Sequence, residues 1–233
     1  QLDPFEENAK RPLKEHVDEF EQHLRDKGNS NQHVIEVATK VRRIIEGCKW
    51  AFIRDQSPSG AQRFLADLRS SGLSVQTSNH YLRAIKQFSR WLVRDRRTND
   101  DVLAHLSMMN VKVDRRHDRR ALLPEEFARL IAAAESGPRI ESISGADRAT
   151  MYVLSAWTGY RKKEIGSLTI RSLRLDDDPP TATVEAAYSK RKRQDAQVLH
   201  PAVVQLLGMW LATKAQLGSD DLLFPISGKV PGG

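Results

Sequence analysis

The sequence contains a single cysteine and no long hydrophobic run, and each of these shortages excludes a class of protein. One cysteine, Cys48, cannot form a disulfide within the chain, which favours a reducing compartment. No apolar run approaches the roughly 20 residues that a helix needs to cross a membrane. A glycine-rich phosphate loop and a Cys/His cluster with zinc spacing are also missing. We therefore expect neither a cofactor nor a metal ion.

Positive charge is what the chain has in excess. Of its 233 residues, 37 are Lys or Arg and 30 are Asp or Glu, so the net charge is +7. This moderate excess favours a polyanionic partner, while attraction to a membrane surface and simple solubility compete as explanations. The length predicts one or two domains.

Apolar residues recur at helical spacing through the first hundred residues, and glycine ends most of the runs. The pattern predicts helices over residues 13–24, 34–45, 57–68 and 76–94. No strand-like alternation interrupts them, so we expect a helical bundle over residues 1–109. Residues 110–121 are polar, basic and poorly periodic, which indicates a linker. Residues 122–233 then form a second domain.

The second domain combines helices with a hairpin. Leu123 and Pro124 open a helix, residues 138–147 are predicted to be a loop, and residues 149–157 form an apolar helix. Alternation over residues 181–186 and a short run at 196–199 predict two strands, and a last helix begins at Pro201. The predicted fold class is therefore mainly α with a small antiparallel β-hairpin or sheet.

The helix over residues 76–94 has two faces when drawn at about 100° per residue. The apolar stripe consists of Tyr81, Ile85, Phe88 and Leu92. Almost opposite lies a cationic stripe of Arg83, Lys86, Arg90 and Arg94. No acidic residue interrupts the cationic stripe, which favours contacts with phosphates over an ordinary solvated face.

The linker carries a second group of cations. Its arginines are Arg115, Arg116, Arg119 and Arg120. Such a run can follow a nucleic-acid backbone as the chain crosses a duplex, and a flexible solubilising segment is the alternative.

The most informative stretch is residues 158–168, TGYRKKEIGSL. Gly159 can adopt the left-handed conformation that ends a helix, so that Arg161 projects from the start of the next one. A guanidinium in that place offers a planar fork of donors that suits a phosphate. Glu164, one helical turn further on, can orient it. A helical corner with an ordinary surface arginine is the alternative.

This stretch resembles the first-arginine motif of the tyrosine recombinases (phage integrases), T-G-x-R-x-x-E-[IL]-x-x-L. Asn79 with the apolar and aromatic residues from Tyr81 to Trp91 is similar to the core-binding domain of the same family. The resemblance implies a four-helix, SAM-like core-binding domain followed by part of an α+β catalytic domain. It also implies double-stranded DNA as partner, a cytoplasmic, nucleoid-associated location, and Arg161 and Glu164 as catalytic residues.

The family carries a catalytic lysine in the turn between the second and third strands. Residues 189–193, SKRKR, followed by Val198 and Leu199, are similar to that turn and its strand. Spacing to the strand favours Lys190 as the proton donor to the leaving 5′-oxygen, and Lys192 is the alternative. Lys192 also counts among the predicted DNA contacts. An ordinary charged hairpin tip would look alike in isolation.

Three further elements of the family are expected downstream of the lysine: H-x-x-R, a histidine or tryptophan, and the nucleophilic tyrosine. No H-x-x-R follows Lys190 before Gly233, so the two elements that come after it in the family are not reached, and all four tyrosines precede Lys190. We therefore expect no nucleophile in these residues, binding of DNA without cleavage, and a monomer. The complete form would be a tetramer on two duplexes. A non-catalytic DNA-binding remnant or architectural protein is the first alternative, and a helical protein-interaction scaffold is the second.

Overall fold

The structure is a computed structural model that describes residues 5–116, 120–214 and 216–225. It divides into two compact units, Gln1–Arg119 and Arg120–Gly233. The predicted fold class is confirmed, because helices dominate and the strands form one small antiparallel sheet. Within the described residues, no helix has both the length and the apolar character needed to cross a membrane.

The first unit is helical. Its helices are α1 (Glu6–Lys10), α2 (Leu13–Asp26), α3 (Asn31–Gly47), α4 (Pro58–Ser70) and α5 (Val75–Arg94). Serine side chains cap three of them: Ser30, Ser57 and Ser74 each accept a hydrogen bond from a backbone amide in the first turn. These caps fix where the helices begin, so the predicted bundle closes with short loops.

The core of the first unit forms where the apolar stripes of α2, α3 and α5 meet. Phe20 and Phe88 pack edge to face with ring centroids 5.4 Å apart, and Trp91 lies against both rings. Helix α5 is buried beyond its apolar stripe, since Asn79 and Ser89 are also buried. A second layer of chain therefore covers part of this helix.

That layer is residues 101–116, which we name the strap. The Ser89 hydroxyl donates to the carboxylate of Asp101 at 2.5 Å. The Asn79 side chain pairs with the backbone of Met109, donating to its carbonyl at 2.8 Å and accepting from its amide at 3.0 Å. The carboxylate of Asp114 accepts from the backbone amide of Val75 at 2.7 Å. The first residues of the predicted linker are thus bound to α5.

The second unit contains four helices and three strands in its described part. They are α6 (Pro124–Ser136), α7 (Gly145–Thr158), α8 (Lys162–Ile165), β1 (Leu173–Arg174), β2 (Thr181–Val184), β3 (Asp195–Val198) and α9 (Pro201–Ala212). The sheet order is β1-β2-β3 and both pairings are antiparallel. The β2–β3 register places Val184 opposite Asp195, which leaves residues 185–194 as the hairpin loop.

Two expectations for the second unit need correction. The predicted loop over residues 138–147 is shorter, because α7 begins at Gly145 after Ser144, whose hydroxyl caps the helix by accepting from the amide of Asp147. Strand β1 was not predicted, because two residues are too few to show alternation. Its pairing with β2 comes from the chain after α8 returning to the sheet edge.

Helices α7 and α9 and the sheet enclose the core of the second unit. Leu154, Leu168 and Leu207 are fully buried there. The last described segment packs back on this core, with the amide of Leu223 donating to the carbonyl of Leu168 at 2.8 Å and Phe224 stacked on Trp210. The chain between α7 and β1 therefore packs between this core and the last described segment.

Candidate phosphate-binding site and nucleic-acid interface

A left-handed glycine places Arg161 at the start of α8. Helix α7 ends at Thr158, and Gly159 has φ of +67°. The Thr158 hydroxyl donates to the carbonyl of Leu154 at 2.7 Å and accepts from the amide of Tyr160 at 3.3 Å. Arg161 then has extended backbone, φ −78° and ψ 161°, at the position before α8. The chain therefore turns within three residues and directs this arginine out of the helix.

The carboxylate of Glu164 joins the arginine to the hairpin loop. One oxygen accepts from the backbone amide of Arg161 at 2.8 Å. The other accepts from Nη1 of Arg161 at 3.2 Å and from the backbone amide of Lys190 at 3.2 Å. Glu164 is buried, with 4% of its surface exposed. A single buried carboxylate thus holds two segments together that are 26 residues apart in the chain.

The charge of Glu164 is stabilised by these donors. Burial acts to raise the pKa of its carboxyl, but the hydrogen bonds from the amides of Arg161 and Lys190 and from the Arg161 guanidinium outweigh it. The pKa of Glu164 therefore lies below its ordinary value. The carboxylate stays ionised at neutral pH and continues to orient the guanidinium.

The guanidinium of Arg161 remains open to solvent. Its side chain is 58% exposed, and only Nη1 is hydrogen-bonded to a described residue. The other nitrogens of the fork are donors without a partner in the described part of the chain. Such a fork, held at one edge by a carboxylate, can bind a phosphate at the other.

The hairpin loop brings two lysines to the surface of the second unit. The side chains of Lys190 and Lys192 are exposed and make no hydrogen bond or ion pair with described residues. Their backbones differ, because the amide of Lys190 donates to Glu164 whereas that of Lys192 donates to the carbonyl of Ser189 at 3.0 Å. Lys190 is therefore the lysine whose backbone is fixed beside Arg161.

Sequence reasoning did not single out Tyr160 as part of this site. Its hydroxyl lies 2.6 Å from the carbonyl oxygen of Ala182 and 2.9 Å from that of Asp195, so it can donate to either strand of the hairpin. Burial, with the negative charges of Asp195 and Glu164, raises the pKa of Tyr160, and the phenol stays protonated. The family motif leaves this position unspecified, so only the fold reveals the contact.

The cationic stripe of α5 lies partly under the strap. Nζ of Lys86 donates to the carbonyl oxygens of Ala104 at 2.7 Å and Leu106 at 2.5 Å. A helical wheel does not show this contact, because it takes no account of the segment that follows the helix.

The three arginines of the stripe are exposed. Arg83 contacts the ring of His80 at 3.3 Å and the sulfur of Met108 at 3.7 Å. Nε of Arg90 donates to the backbone carbonyl of Lys86 at 3.1 Å, and Arg94 makes no hydrogen bond or ion pair with described residues. Arg94 is thus the member of the stripe with the fewest internal contacts.

The linker arginines differ in their surroundings. Arg115 is exposed, and Arg119 lies outside the described residues. The guanidinium of Arg116 binds the carboxylate of Asp114 and the carbonyls of residues 72 and 73. Arg120 forms a bidentate pair with Glu126, with both distances at 2.6 Å. The guanidinium groups of Arg116 and Arg120 therefore support local structure.

The described residues contain no group of three or more His, Cys, Asp or Glu side chains arranged to hold a metal ion. Charged groups meet the hairpin at Glu164, whose carboxylate contacts both Arg161 and the amide of Lys190. What this arrangement offers chemically is a cationic set of donors for an oxyanion.

No protein-family model and no curated protein sequence matches the chain. Solved structures of integrases do match it. A lambda integrase tetramer bound to a Holliday junction superposes with a TM-score of 0.67 at 20% identity, over 94% of this chain and 60% of that one. A lambda integrase dimer bound to a COC′ core site gives 0.69 at 19% identity, over 91% and 57%.

The Tn1549 transposon integrase in complex with transposon right end DNA gives a TM-score of 0.63 at 15% identity, over 83% of this chain and 64% of that one. This chain therefore spans about 60% of the length of the lambda integrase chains it matches. The resemblance to the tyrosine recombinases that the arginine motif indicated is confirmed at the level of the fold: the chain has the fold of the phage and transposon integrases.

Proposed function

We propose that the chain is the DNA-binding part of a tyrosine recombinase, an enzyme that cuts and rejoins DNA through a 3′-phosphotyrosyl intermediate. One observation carries the proposal. The buried carboxylate of Glu164 holds the Arg161 fork and the Lys190 backbone side by side, on a fold shared with integrases solved in complex with DNA.

The chemistry of strand transfer suits these two side chains. Attack by a tyrosine hydroxyl of the complete enzyme forms a new phosphorus–oxygen bond and breaks the bond to the 5′-oxygen. Negative charge grows on the non-bridging oxygens, where the donors of Arg161 stabilise it. The ammonium of Lys190 gives its proton to the departing 5′-oxygen. Glu164 positions the Arg161 guanidinium and keeps the lysine backbone beside it.

The backbone contacts support Lys190 over Lys192 as the proton donor. Lys190 is tied to the carboxylate that also orients Arg161, whereas Lys192 is tied only to its own loop. We assign Lys192 to the DNA phosphates outside the reacting one. In this assignment the two lysines make different contributions to binding, which a mutant series can separate.

The duplex would also contact the first unit through Arg83, Arg90 and Arg94, which are exposed on α5. Lys86 can join them only by leaving the carbonyls of the strap, so we expect it to contribute less. The four linker arginines, Arg115, Arg116, Arg119 and Arg120, are further DNA contacts in this proposal, and Arg116 and Arg120 also bind protein groups nearby.

A salt series with duplex DNA tests the proposal. The 233-residue chain should bind a fluorescein-labelled 30-base-pair duplex with an affinity that falls steeply between about 50 and 200 mM NaCl. Arg161→Ala and Lys190→Ala should each weaken binding about tenfold, because a charged hydrogen bond to phosphate contributes about 1.5–3 kcal/mol. Lys163→Ala is the matched control, since it removes the same charge from an exposed site two residues from Arg161.

The outcomes separate the readings. Equal losses of affinity for Lys163→Ala and Arg161→Ala would mean that only net charge matters. The proposal of a phosphate site at Arg161 would then be wrong. An affinity for duplex that is absent or insensitive to salt would favour a helical interaction scaffold. A larger loss with Lys192→Ala than with Lys190→Ala would exchange the roles of the two lysines.

We further propose that these residues bind DNA as a monomer without cleaving it, and that the complete enzyme assembles as a tetramer in the cytoplasm on two duplexes. Tyr81 and Tyr160 are buried and hydrogen-bonded, so neither is placed to attack a phosphate. A covalent adduct between this chain and a nicked suicide duplex, detected on a denaturing gel, would contradict the inactive state. Binding without cleavage by the complete protein would instead support an architectural role.

A further inference from the structure

The position between Gly159 and Arg161 carries a contact that the arginine motif does not specify. Tyr160 is 6% exposed, and its ring packs in the core of the second unit with Ile165 and Val184 among the buried residues of the same cluster. Only its hydroxyl meets polar atoms. Those atoms are the carbonyl oxygens of Ala182 in β2 and Asp195 in β3.

These two carbonyls lie in the paired strands below the loop that contains Lys190. Asp195 pairs with Val184, the last residue of β2, so the phenol reaches the point where the hairpin opens into its loop. Glu164 contacts the same loop at the amide of Lys190. Tyr160 and Glu164, which flank Arg161 in the motif, thus hold the hairpin at two places. Tyr160 binds its base and Glu164 binds it near its tip.

We propose that Tyr160 is a positioning residue that fixes the hairpin relative to Arg161, so that Lys190 and Arg161 contact the same phosphate. The role rests on the proposed function, because it assumes that both side chains engage DNA. The carboxylate of Glu164 fixes only one amide of the loop, that of Lys190. Without the phenol at the base, the hydrogen bond from Lys190 to Glu164 is left to hold the ten-residue loop beside the arginine motif. Lys190 can then move away from Arg161.

A phenylalanine tests this directly, because Tyr160→Phe keeps the ring that fills the core and removes only the hydroxyl. The matched control is Tyr188→Phe, which removes a hydroxyl from the hairpin loop that has no hydrogen bond to a described residue. Amide hydrogen exchange followed by NMR reports the Lys190 amide. We expect exchange at Lys190 to quicken about tenfold in Tyr160→Phe and to stay unchanged in Tyr188→Phe.

A second readout separates positioning from mere support of the fold. Lys190→Ala is made in the wild-type and Tyr160→Phe backgrounds, and affinity for the 30-base-pair duplex is measured at 50 mM NaCl. We expect a loss of about tenfold in the first background and less than twofold in the second, because the lysine is no longer held at the phosphate. A Tyr160 that only stabilised the fold would leave the two losses equal.

Each result bears on the inference. Unchanged exchange at Lys190 in Tyr160→Phe would overturn it, whatever the DNA affinities. Faster exchange with equal losses for Lys190→Ala in both backgrounds would overturn the positioning role and leave a structural anchor. If the wild-type chain shows no salt-dependent affinity, the proposed function fails with the positioning role, and the exchange data then describe the anchor alone.

Discussion

The backbone amide of Lys190 donates a hydrogen bond to the buried carboxylate of Glu164 at 3.2 Å, and the same oxygen accepts from the guanidinium of Arg161. A helix start and a hairpin loop, which are distant in the chain, are therefore joined by one side chain. The charge of the carboxylate strengthens both hydrogen bonds, because a neutral side-chain amide in its place would accept more weakly from a guanidinium.

Replacing Glu164 by Gln should destabilise the second unit by about 1–2 kcal/mol, because two amides and a guanidinium lose a charged acceptor. Because the folded-state pKa of Glu164 is lowered from 4.5, its contribution is full above about pH 4.5 and is lost as pH falls below that value. Urea unfolding at pH 7 and pH 4 measures both effects. Glu185→Gln is the control, since Glu185 is exposed in the hairpin loop. An equal effect of the two variants would contradict the bridging role.

Two cations on the same stripe of α5 should respond differently to truncation. Arg94→Ala should leave stability unchanged and reduce the slope of log affinity against log salt by about 1, because its exposed side chain has no partner in the described structure. Lys86→Ala should lower stability by about 1–2 kcal/mol, since the carbonyls of Ala104 and Leu106 lose their donor. Duplex binding and thermal unfolding of both variants test the contrast, which fails if Lys86→Ala alone changes the salt slope.

The buried imidazole of His16 should make the first unit sensitive to mild acid. Nε2 lies 3.2 Å from the carbonyl of Asn8, and Nδ1 lies 2.8 Å from Nη1 of Arg97. The ring is therefore neutral, with Nε2–H donating and Nδ1 accepting. Burial, with the charges of Arg97 and Arg11, lowers the pKa of His16 from 6.5, although the bond to Asn8 and the charge of Glu19 oppose this.

The unfolded chain then binds the proton before the folded one does. Stability should be full above about pH 6.5 and fall below it, by up to about 1.4 kcal/mol per pH unit until the lowered pKa is reached. Urea unfolding between pH 7.5 and pH 5 measures this. His16→Gln should flatten the dependence, whereas His33→Gln, at an exposed site, should preserve it. A dependence that survives in His16→Gln would assign the effect to another group.

Two glycines with open space around them should respond to alanine with opposite signs. A Cβ at Gly159 or at Gly208 would meet no atom within 4 Å, so neither substitution produces a clash. Gly159 has φ of +67°, where a side chain costs about 1–2 kcal/mol, so Gly159→Ala should destabilise the second unit. Gly208 lies inside α9, and Gly208→Ala should stabilise it by about 0.5–1 kcal/mol. Thermal unfolding of the pair measures the difference, and a shared sign would rule out the conformational explanation.

The elements that the sequence predicted well are those whose signal is local. The helix of residues 76–94 carries a full apolar stripe, and it appears as α5 with bounds within one residue. Strand β1 has only two residues, which is too short to show an alternation of apolar and polar residues, so no local pattern predicts it. The contact of Lys86 with the strap was not predicted, because the carbonyls that bind its Nζ belong to residues 104 and 106, which a helical wheel of α5 does not include.

The sequence by itself determined the helical character of the chain, the glycine that ends α7 and the order of residue types around Arg161, because these depend on periodicity and on backbone preferences within a few residues. The tertiary structure alone decided which of the described cationic side chains bind other protein groups, as Lys86 does, and which stay exposed, as Arg94 does. It also decided that Glu164 reaches the amide of Lys190 and that Tyr160 reaches the base of the hairpin. Those contacts join residues 22 to 35 positions apart, and the folding of the sheet against α7 and α8 brings them together.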